Sequence, residues 1–464
     1  MEKTACLVSL VCPKNLVDSE VILGLLSGEG YLLTTDPSRA DVLIVNTCSF
    51  IEDATKEAVE TVLQLSVLKK EGRCRLLVVA GCLPQRYGEA LEKELPEVDL
   101  FVGTGAFQKL PQLLSGKPKR KSFLAKSTFL YNEKTPRILS TPPFVAYVKI
   151  AEGCSDACTF CTVPKIRGRY RSRKFLSVLE EARRLADQGV REVILIAQDT
   201  TAYGRDLGDG TNLEKLLKGL IRMEGLRWIR MLYSYPKPNY FTEGLLELMA
   251  NEEKICPYLD LPIQHIDDEI LRRMGRRSRS DEIYNLLEKI RTALPGISLR
   301  TSLIVGFPGE KERHFRALLE FVEKVQFDHL GAFKYSAEEG TPASRLPGSV
   351  PEKVKEERDL ALSLSEVLHA PTIVSATTAF STPTPTHESA VGLERFEHAD
   401  IQANMVTRQK ELKVGEGLNL EIELVNAGKG HALLIKVTEV IPEGFELIQK
   451  PETYRVEDSY VNMK

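Results

Sequence analysis

Residues 43–50 read LIVNTCSF. An apolar run with the composition of a buried strand stops at a polar loop, and that loop carries Cys48. The same phrase occurs twice more: TACLVSL (4–10) runs up to Cys12, and RLLVVA (75–80) runs up to Cys82. Each run is followed by a helix-like stretch, Leu16 to Leu26, Asp53 to Leu68 and Gln85 to Leu95. Strands that alternate with helices predict a parallel sheet, and continuous Val/Ile/Leu runs are what strands buried on both faces require. In such a sheet ligands bind outside the carboxyl ends of the strands, where Cys12, Cys48 and Cys82 all fall. If the three strands are neighbours, their thiols converge. Three thiolates can hold an iron–sulfur cluster with one iron left open; the alternative is that they are small buried hydrophobes. Cys6 and Cys74 lie within or beside the strands and read as core thiols.

The rest of the composition narrows the setting. The chain has 464 residues, 43% hydrophobic and 27% charged, an ordinary globular balance at a length that suggests about two to four domains. A net charge of −3 and a pI near 6.3 give no global nucleic-acid signature. No apolar run approaches the roughly 20 residues of a membrane span, and the N-terminus lacks the pattern of a secretory signal. The expected compartment is the reducing cytoplasm, where the nine cysteines are more often metal ligands or redox groups than disulfides.

Three more cysteines stand together in EGCSDACTFC (152–161), after the strand-like FVAYVKI (144–150). Cys154, Cys158 and Cys161 are packed too tightly in one loop to be core residues. Zinc would want a fourth ligand, and no nearby Cys or His offers one. A cubane cluster with one free iron fits the count, and CxxxCxxC is the spacing of the radical S-adenosylmethionine (SAM) superfamily. A β/α series follows, with strands predicted at 192–197, 228–233, 258–262, 299–305 and 329–334. With 144–150 this makes about six units of a partial TIM-type barrel, whose sites lie at the C-terminal face. Gln198-Asp199, Gln264-His265 and GFPGE (306–310) follow strand ends. Gln198, Gly306 and Phe307 are therefore candidates to contact SAM. His265 reads as a satisfied rim histidine and Cys256 as structural. KIRGRYRSRK (165–174) lies just after the cluster loop, where it could meet a SAM carboxylate or ribosomal RNA phosphates. LRRMGRRSR (271–279) reads as cations at a helix C-terminus.

With two cysteine triads in this order, the chain resembles the methylthiotransferase family. The resemblance rests on CPKNLVDSE (12–20), NTCSFI (46–51), AGCL (80–83), the CxxxCxxC loop, QDTTAYG (198–204), LDLPIQH (259–265) and IVGFPGE (304–310), and covers roughly residues 3–365. Within the family it is closer to the branch that modifies a ribosomal protein. The tRNA-modifying branch usually has Gln-Met-Asn after its first cysteine, where this chain has Pro13-Lys14-Asn15. The resemblance implies that Cys154, Cys158 and Cys161 bind the radical 4Fe–4S cluster and that Cys12, Cys48 and Cys82 bind an auxiliary one. It implies two uses of SAM, as methyl donor and as radical source. The implied product is a methylthio group on the β-carbon of an aspartate in the twelfth small-subunit ribosomal protein. Electrons would come from a donor such as flavodoxin or ferredoxin.

Two departures stand out. Val11 occupies the position before the first cysteine where the family usually has Gly; a β-branched residue is costly there if φ must be positive. The family also follows its last helix with a small β-barrel, the TRAM domain, which contacts substrate. Here a Ser/Thr/Pro-rich stretch, TIVSATTAFSTPTPT (372–386), reads as a linker. Residues 411–426 and 430–440 then alternate like sandwich strands, with a hairpin turn at 426–429. The expected organisation is an α/β methylthiotransferase domain over 1–125, a radical SAM barrel over 140–369, a linker over 370–390 and a β-sandwich-like segment over 391–464. Chemistry would survive this exchange while docking is weakened or redirected. The alternatives are a tRNA adenosine methylthiotransferase and a non-catalytic binding protein whose tail is its working part.

Overall fold

The computed structural model describes residues 3–10, 12–116, 121–369, 401–407, 420–426, 454–457 and 460–463. The chain divides into two compact units, Met1–Ala370 and Pro371–Lys464.

The first unit opens with a six-stranded parallel sheet: β1 (Thr4–Ser9), β2 (Leu32–Leu33), β3 (Val42–Thr47), β4 (Leu76–Gly81), β5 (Leu100–Gly103) and β6 (Ser122–Phe123), in the order β2-β1-β3-β4-β5-β6. The first five strands follow a doubly wound 2-1-3-4-5 order, in which the chain reverses direction across the sheet between β1 and β3. Side chains alternate between two cores. Val42 and Ile44 pack with Val17 and Val21 of helix α1 (Pro13–Gly28), while Leu43 and Val45 pack with Ala58 and Val62 of helix α2 (Glu52–Glu71). The third helix-like stretch is shorter than expected: α3 (Cys82–Tyr87) ends at Gly88, and a 3-10 turn leads to a further short helix, Leu91–Glu94. Cys6 and Cys74 lie in the α2-side core.

Six further parallel strands form the partial barrel: β7 (Val145–Lys149), then, after a small hairpin of β8 (Ala151–Glu152) and β9 (Arg171–Ser172), β10 (Glu192–Ile196), β11 (Trp228–Met231), β12 (Tyr258–Gln264), β13 (Ser298–Val305) and β14 (His329–Lys334). They pair as β7-β10-β11 and β12-β13-β14. The two halves meet through a bridge between Ile229 and Ile255 and a hydrogen bond from Ser234 N–H to Asp260 O of 2.8 Å. The sequence placed all six strands. The α1-side core of the sheet continues into Ile194 and Ile196 of β10, so sheet and barrel share packing across α1. Cys256 is buried at 7% exposure.

The helix Glu352–His369 closes the first unit. In the second, β15 (Ile401–Thr407) pairs antiparallel with β16 (Leu420–Asn426), and β17 (Tyr454–Glu457) with β18 (Tyr460–Met463). The linker at 372–386, the strand at 430–440, positions 427–429 of the hairpin turn and Val11 lie outside the described residues.

Candidate functional site

The carboxyl ends of β1, β3 and β4 carry Cys12, Cys48 and Cys82, at and beside the reversal between β1 and β3. Each is seated differently. Cys12 caps α1, with Pro13 in the first helical position, and Cys82 is the first residue of α3, so both thiols stand where a helix dipole favours negative charge. Cys48 lies in the loop before α2 and receives N–H groups from Phe50 and Ser49. Gly81, just before Cys82, has φ +94°, and a Cβ there would meet Asn46 Oδ1 at 2.3 Å. Only glycine makes that turn without displacing β3. Cys12 lies close enough to Cys48 and Cys82 to oppose the ionisation of both.

The second triad lies in the loop that the β8–β9 hairpin closes. Gly153 has φ +82°, with Arg169 O 2.3 Å from where a Cβ would be. Cys154 N–H donates to Gly168 O (3.1 Å), and its sulfur accepts Asp156 N–H (3.4 Å). Thr159 pins the middle of the loop to Met274 O (2.9 Å) and Arg273 O (2.7 Å). Phe160 packs edge-on to Phe307, which is fully buried and meets Tyr335 edge-on in turn. Phe307 thus supports the cysteine loop from behind, and Gly306 N–H donates to Glu310 Oε2 (3.0 Å). His265 is fully buried; its Nδ1 accepts Asp267 N–H (3.0 Å) and its Nε2 lies 3.6 Å from Glu310 Oε2. Arg358 holds the other oxygen of Glu310 at 2.7 Å.

A buried ionic network joins the two triads. Asp18 of α1 meets Lys149 at 2.5 Å and Arg167 at 2.5 Å. Lys149 and Arg167 both reach Glu152, at 2.7 and 3.5 Å, and Glu152 accepts Gln198 Nε2 at 2.8 Å. Arg167 also bonds Asn15 Oδ1 and lies 3.5 Å from the Cys82 sulfur. Burial opposes the Glu152 charge, but Lys149 and Arg167 outweigh it and hold the carboxyl well below its usual range. A second tie runs from Arg86, beside the first triad, to Glu338 beyond β14 (2.7 Å). Breaking one buried pair of this kind costs about 3–5 kcal/mol, because the surviving charge is left uncompensated.

The basic runs are therefore not simple solvated faces. Within 165–174, Arg167 and Arg173 are buried and ion-paired while Lys165, Arg169 and Lys174 are exposed. In the second run Arg272 and Arg273 end the helix Asp268–Arg273 as expected, but Arg276 turns inward, 3.8 Å from the Cys158 sulfur and over the Tyr235 ring. Neither placement was readable from spacing, because the arginines' partners are distant in sequence.

The donors suit clusters. Burial pushes the Cys154 and Cys161 thiols up to about 12, and the Cys82 thiol likewise despite Arg167. Thiols so disfavoured as anions need a cation to become ligands. Among the described residues no three His, Cys, Asp or Glu are gathered tightly enough for a single metal ion. A cubane spreads its thiolates over separate irons, so its ligands stand wider apart than those of one ion. SAM also has room for partners at the same mouth. Gln198 Oε1, Asp199 Oδ2 and Ser234 Oγ are buried without hydrogen-bond partners, a costly state unless a ligand supplies them. Ser234 carried no sequence signal beyond its place after β11.

Residues 148–322 match the Radical SAM superfamily, and residues 4–103 match an uncharacterized protein family, UPF0004. The chain is 54% identical to the ribosomal protein uS12 methylthiotransferase RimO of Geobacter sulfurreducens over 355 residues, 76% of this chain and 79% of that protein. It is 52% identical to the RimO of Geotalea uraniireducens over 361 residues, 77% and 80% of the two chains. Among solved structures, the radical SAM methyltransferase TsrM of Kitasatospora setae superposes with a TM-score of 0.54 at 17% identity, over 74% of this chain and 77% of that one, which is a likeness of fold. On this identity and coverage the chain belongs to the ribosomal protein uS12 methylthiotransferase family of radical SAM enzymes.

Proposed function

We propose that this chain adds a methylthio group to the β-carbon of an aspartate in ribosomal protein uS12, with Cys154, Cys158 and Cys161 holding the radical 4Fe–4S cluster and Cys12, Cys48 and Cys82 the auxiliary one. The observation that carries this reading is the pair of cysteine triads, one at the strand ends of the sheet and one in the hairpin-closed loop, tied together through Asp18, Lys149, Arg167 and Glu152. When bound, the clusters and SAM supply a 5′-deoxyadenosyl radical, a methyl group and a route for sulfur, the chemistry that an unactivated C–H bond demands. The chain supplies position. The α/β segment 1–125 brings its strand ends to the mouth of the barrel at 140–369. Gln198, oriented by Glu152, offers its unpartnered oxygen to SAM, and Gly306 and Phe307 shape the wall behind the cysteine loop. The buried network excludes water where a radical would otherwise be quenched.

The finer setting follows from the chemistry. Reduction is one electron at a time, so a flavodoxin or ferredoxin is the donor. Exposed Lys165, Arg169 and Lys174 are available to ribosomal RNA phosphates. The site of action is the cytoplasm. Among the described residues no helix is long and apolar enough to cross a membrane, and none of the nine cysteines is joined in a disulfide, which accords with a reducing compartment.

The test is the intact mass of uS12 co-expressed with this chain in cells that lack their own methylthiotransferase. A gain of one methylthio group, placed on an aspartate by fragmentation and lost with Cys154→Ala, is the expected result. An unmodified uS12 from protein that carries both clusters and cleaves SAM would overturn the substrate and direct the search to tRNA.

A further inference from the structure

Lys14 is the second residue of α1, two positions after Cys12. Its ammonium reaches out of the sheet and lies 3.0 Å from the centroid of the Tyr233 ring, just beyond the end of β11 in the barrel. The side chain therefore spans the gap between the edge that carries the first triad and the mouth that carries the second. Both Lys14 and Tyr233 are partly exposed, so a ligand can reach them.

The surrounding charges are already matched to one another. Glu152 is held by Lys149 and Arg167. Asp260 is held by Arg300 at 3.0 Å and by Tyr233 N–H at 3.1 Å. Neither carboxylate, nor any other among the described residues, comes within ion-pair distance of Lys14. Lys14 is therefore a cation of the junction without a carboxylate partner among the described residues. An ammonium partly withdrawn from water, with an aromatic face beneath it, gains from an anionic ligand that completes its hydrogen bonds.

The platform under it is held in an uncommon conformation. Tyr233 has φ +62°, and Gln264, at the end of the adjacent strand, has φ +77°. Bulky residues rarely adopt this region, and such strain persists where surrounding bonds over-determine it, often at ligand sites. Tyr233 is fixed on both sides of its backbone, its N–H given to Asp260 and its carbonyl accepting Thr200 N–H at 2.9 Å. The ring is thereby kept at the end of β11 to carry the Lys14 ammonium.

We propose that Lys14 is the specificity residue that binds the side-chain carboxylate of the substrate aspartate. This rests on the reading of the chain as an aspartate methylthiotransferase and goes beyond it by naming the group that selects the amino acid. The reacting β-carbon is bonded directly to that carboxylate. An ammonium that anchors the carboxylate between the two triads therefore fixes the β-carbon within reach of both. A compact point charge suits the task, because it holds one end of a short side chain without dictating the plane of the carboxylate.

The experiment uses the full chain with both clusters reconstituted, and two targets: uS12 with its native aspartate, and uS12 with that aspartate changed to asparagine. Methylthio product is followed by mass spectrometry, and affinity by competition between the targets. The wild type should favour aspartate by about tenfold to a hundredfold, the range of a charge-assisted hydrogen bond. Lys14→Gln should raise KM for the aspartate target and bring the aspartate-to-asparagine ratio toward one, and Lys14→Arg should keep most of the preference. Tyr233→Leu, which removes the ring but keeps Lys14, should reduce the preference in part and serves if Lys14→Gln fails to assemble its clusters. An unchanged ratio in cluster-loaded Lys14→Gln, or in Tyr233→Leu where that variant stands in, would overturn the role of Lys14 while leaving the enzyme's function intact. A wild type that modifies neither target overturns the substrate reading, and the proposal with it.

Discussion

The two cysteine triads are assembled by opposite designs. One is gathered from three strand ends, Cys12, Cys48 and Cys82, so its geometry exists only when β1, β3 and β4 are in register. The other, Cys154, Cys158 and Cys161, is written into one loop that a two-strand hairpin closes. The first is a product of the sheet, and the second is nearly independent of it. Each still needs one glycine at positive φ beside a cysteine and one inward-turned arginine at a sulfur, Arg167 at Cys82 and Arg276 at Cys158. The arginines differ in one respect. Arg167 is neutralised by Asp18 and Glu152, whereas among the described residues Arg276 has no carboxylate within ion-pair distance.

The largest effect comes from deleting one ligand of each triad. Cys154→Ala should lose half of the bound iron and all reductive SAM cleavage. Cys48→Ala should also lose half of the iron but retain SAM cleavage, and it should form no methylthio product. Anaerobic iron and sulfide analysis with a 5′-deoxyadenosine assay reads both. If Cys48→Ala also abolished SAM cleavage, the separation of the two sites would be wrong.

A smaller effect should follow from uncoupling the triads without touching a cysteine. Asp18→Ala leaves Lys149 and Arg167 facing each other near Glu152 with one carboxylate fewer. The cost expected for an uncompensated buried charge is about 3–5 kcal/mol, visible as a lower thermal or denaturant midpoint. Because Arg167 also touches Cys82, iron at the first triad should fall before iron at the second. Equal loss at both would mean that the network supports the whole unit rather than the sheet edge.

The contrast also explains what could be read in advance. CxxxCxxC is local, so its spacing alone pointed to a cluster. The other triad was legible only through the fold, from three apolar runs that each stop at a cysteine. The strands were visible because they are buried on both faces and carry continuous Val, Ile and Leu. By contrast β2, β5 and β6, with two, four and two residues, were not singled out, since so short a run has no period and is recruited by its neighbour's free edge. The ionic network was not legible at all. Arg167 and Asp18 are 149 positions apart, and a buried arginine looks like any other member of a basic run. Lys14 was noticed as part of a motif, but that no carboxylate among the described residues pairs with it is a property of the assembled junction.

The finest test of the comparison uses the two glycines. Gly81→Ala places a Cβ 2.3 Å from Asn46 Oδ1 and 2.8 Å from Thr47 O, while Gly153→Ala places one 2.3 Å from Arg169 O and 2.6 Å from Gly168 O. Both also force alanine into positive φ, and such strain costs about 1–3 kcal/mol. The consequences should differ because the clashing partners differ. At Gly81 they belong to β3, so the strain pushes apart the strands whose register assembles the first triad. At Gly153 they belong to the segment that closes the loop, so the strain opens the hairpin around Cys154. Gly81→Ala should therefore lower iron at the first triad and leave SAM cleavage near its normal rate, and Gly153→Ala should do the reverse. Cluster-resolved Mössbauer or EPR spectra separate the two. If both substitutions depleted the same cluster, the triads would be mechanically one site, and the division between a sheet-built and a loop-built centre would fail.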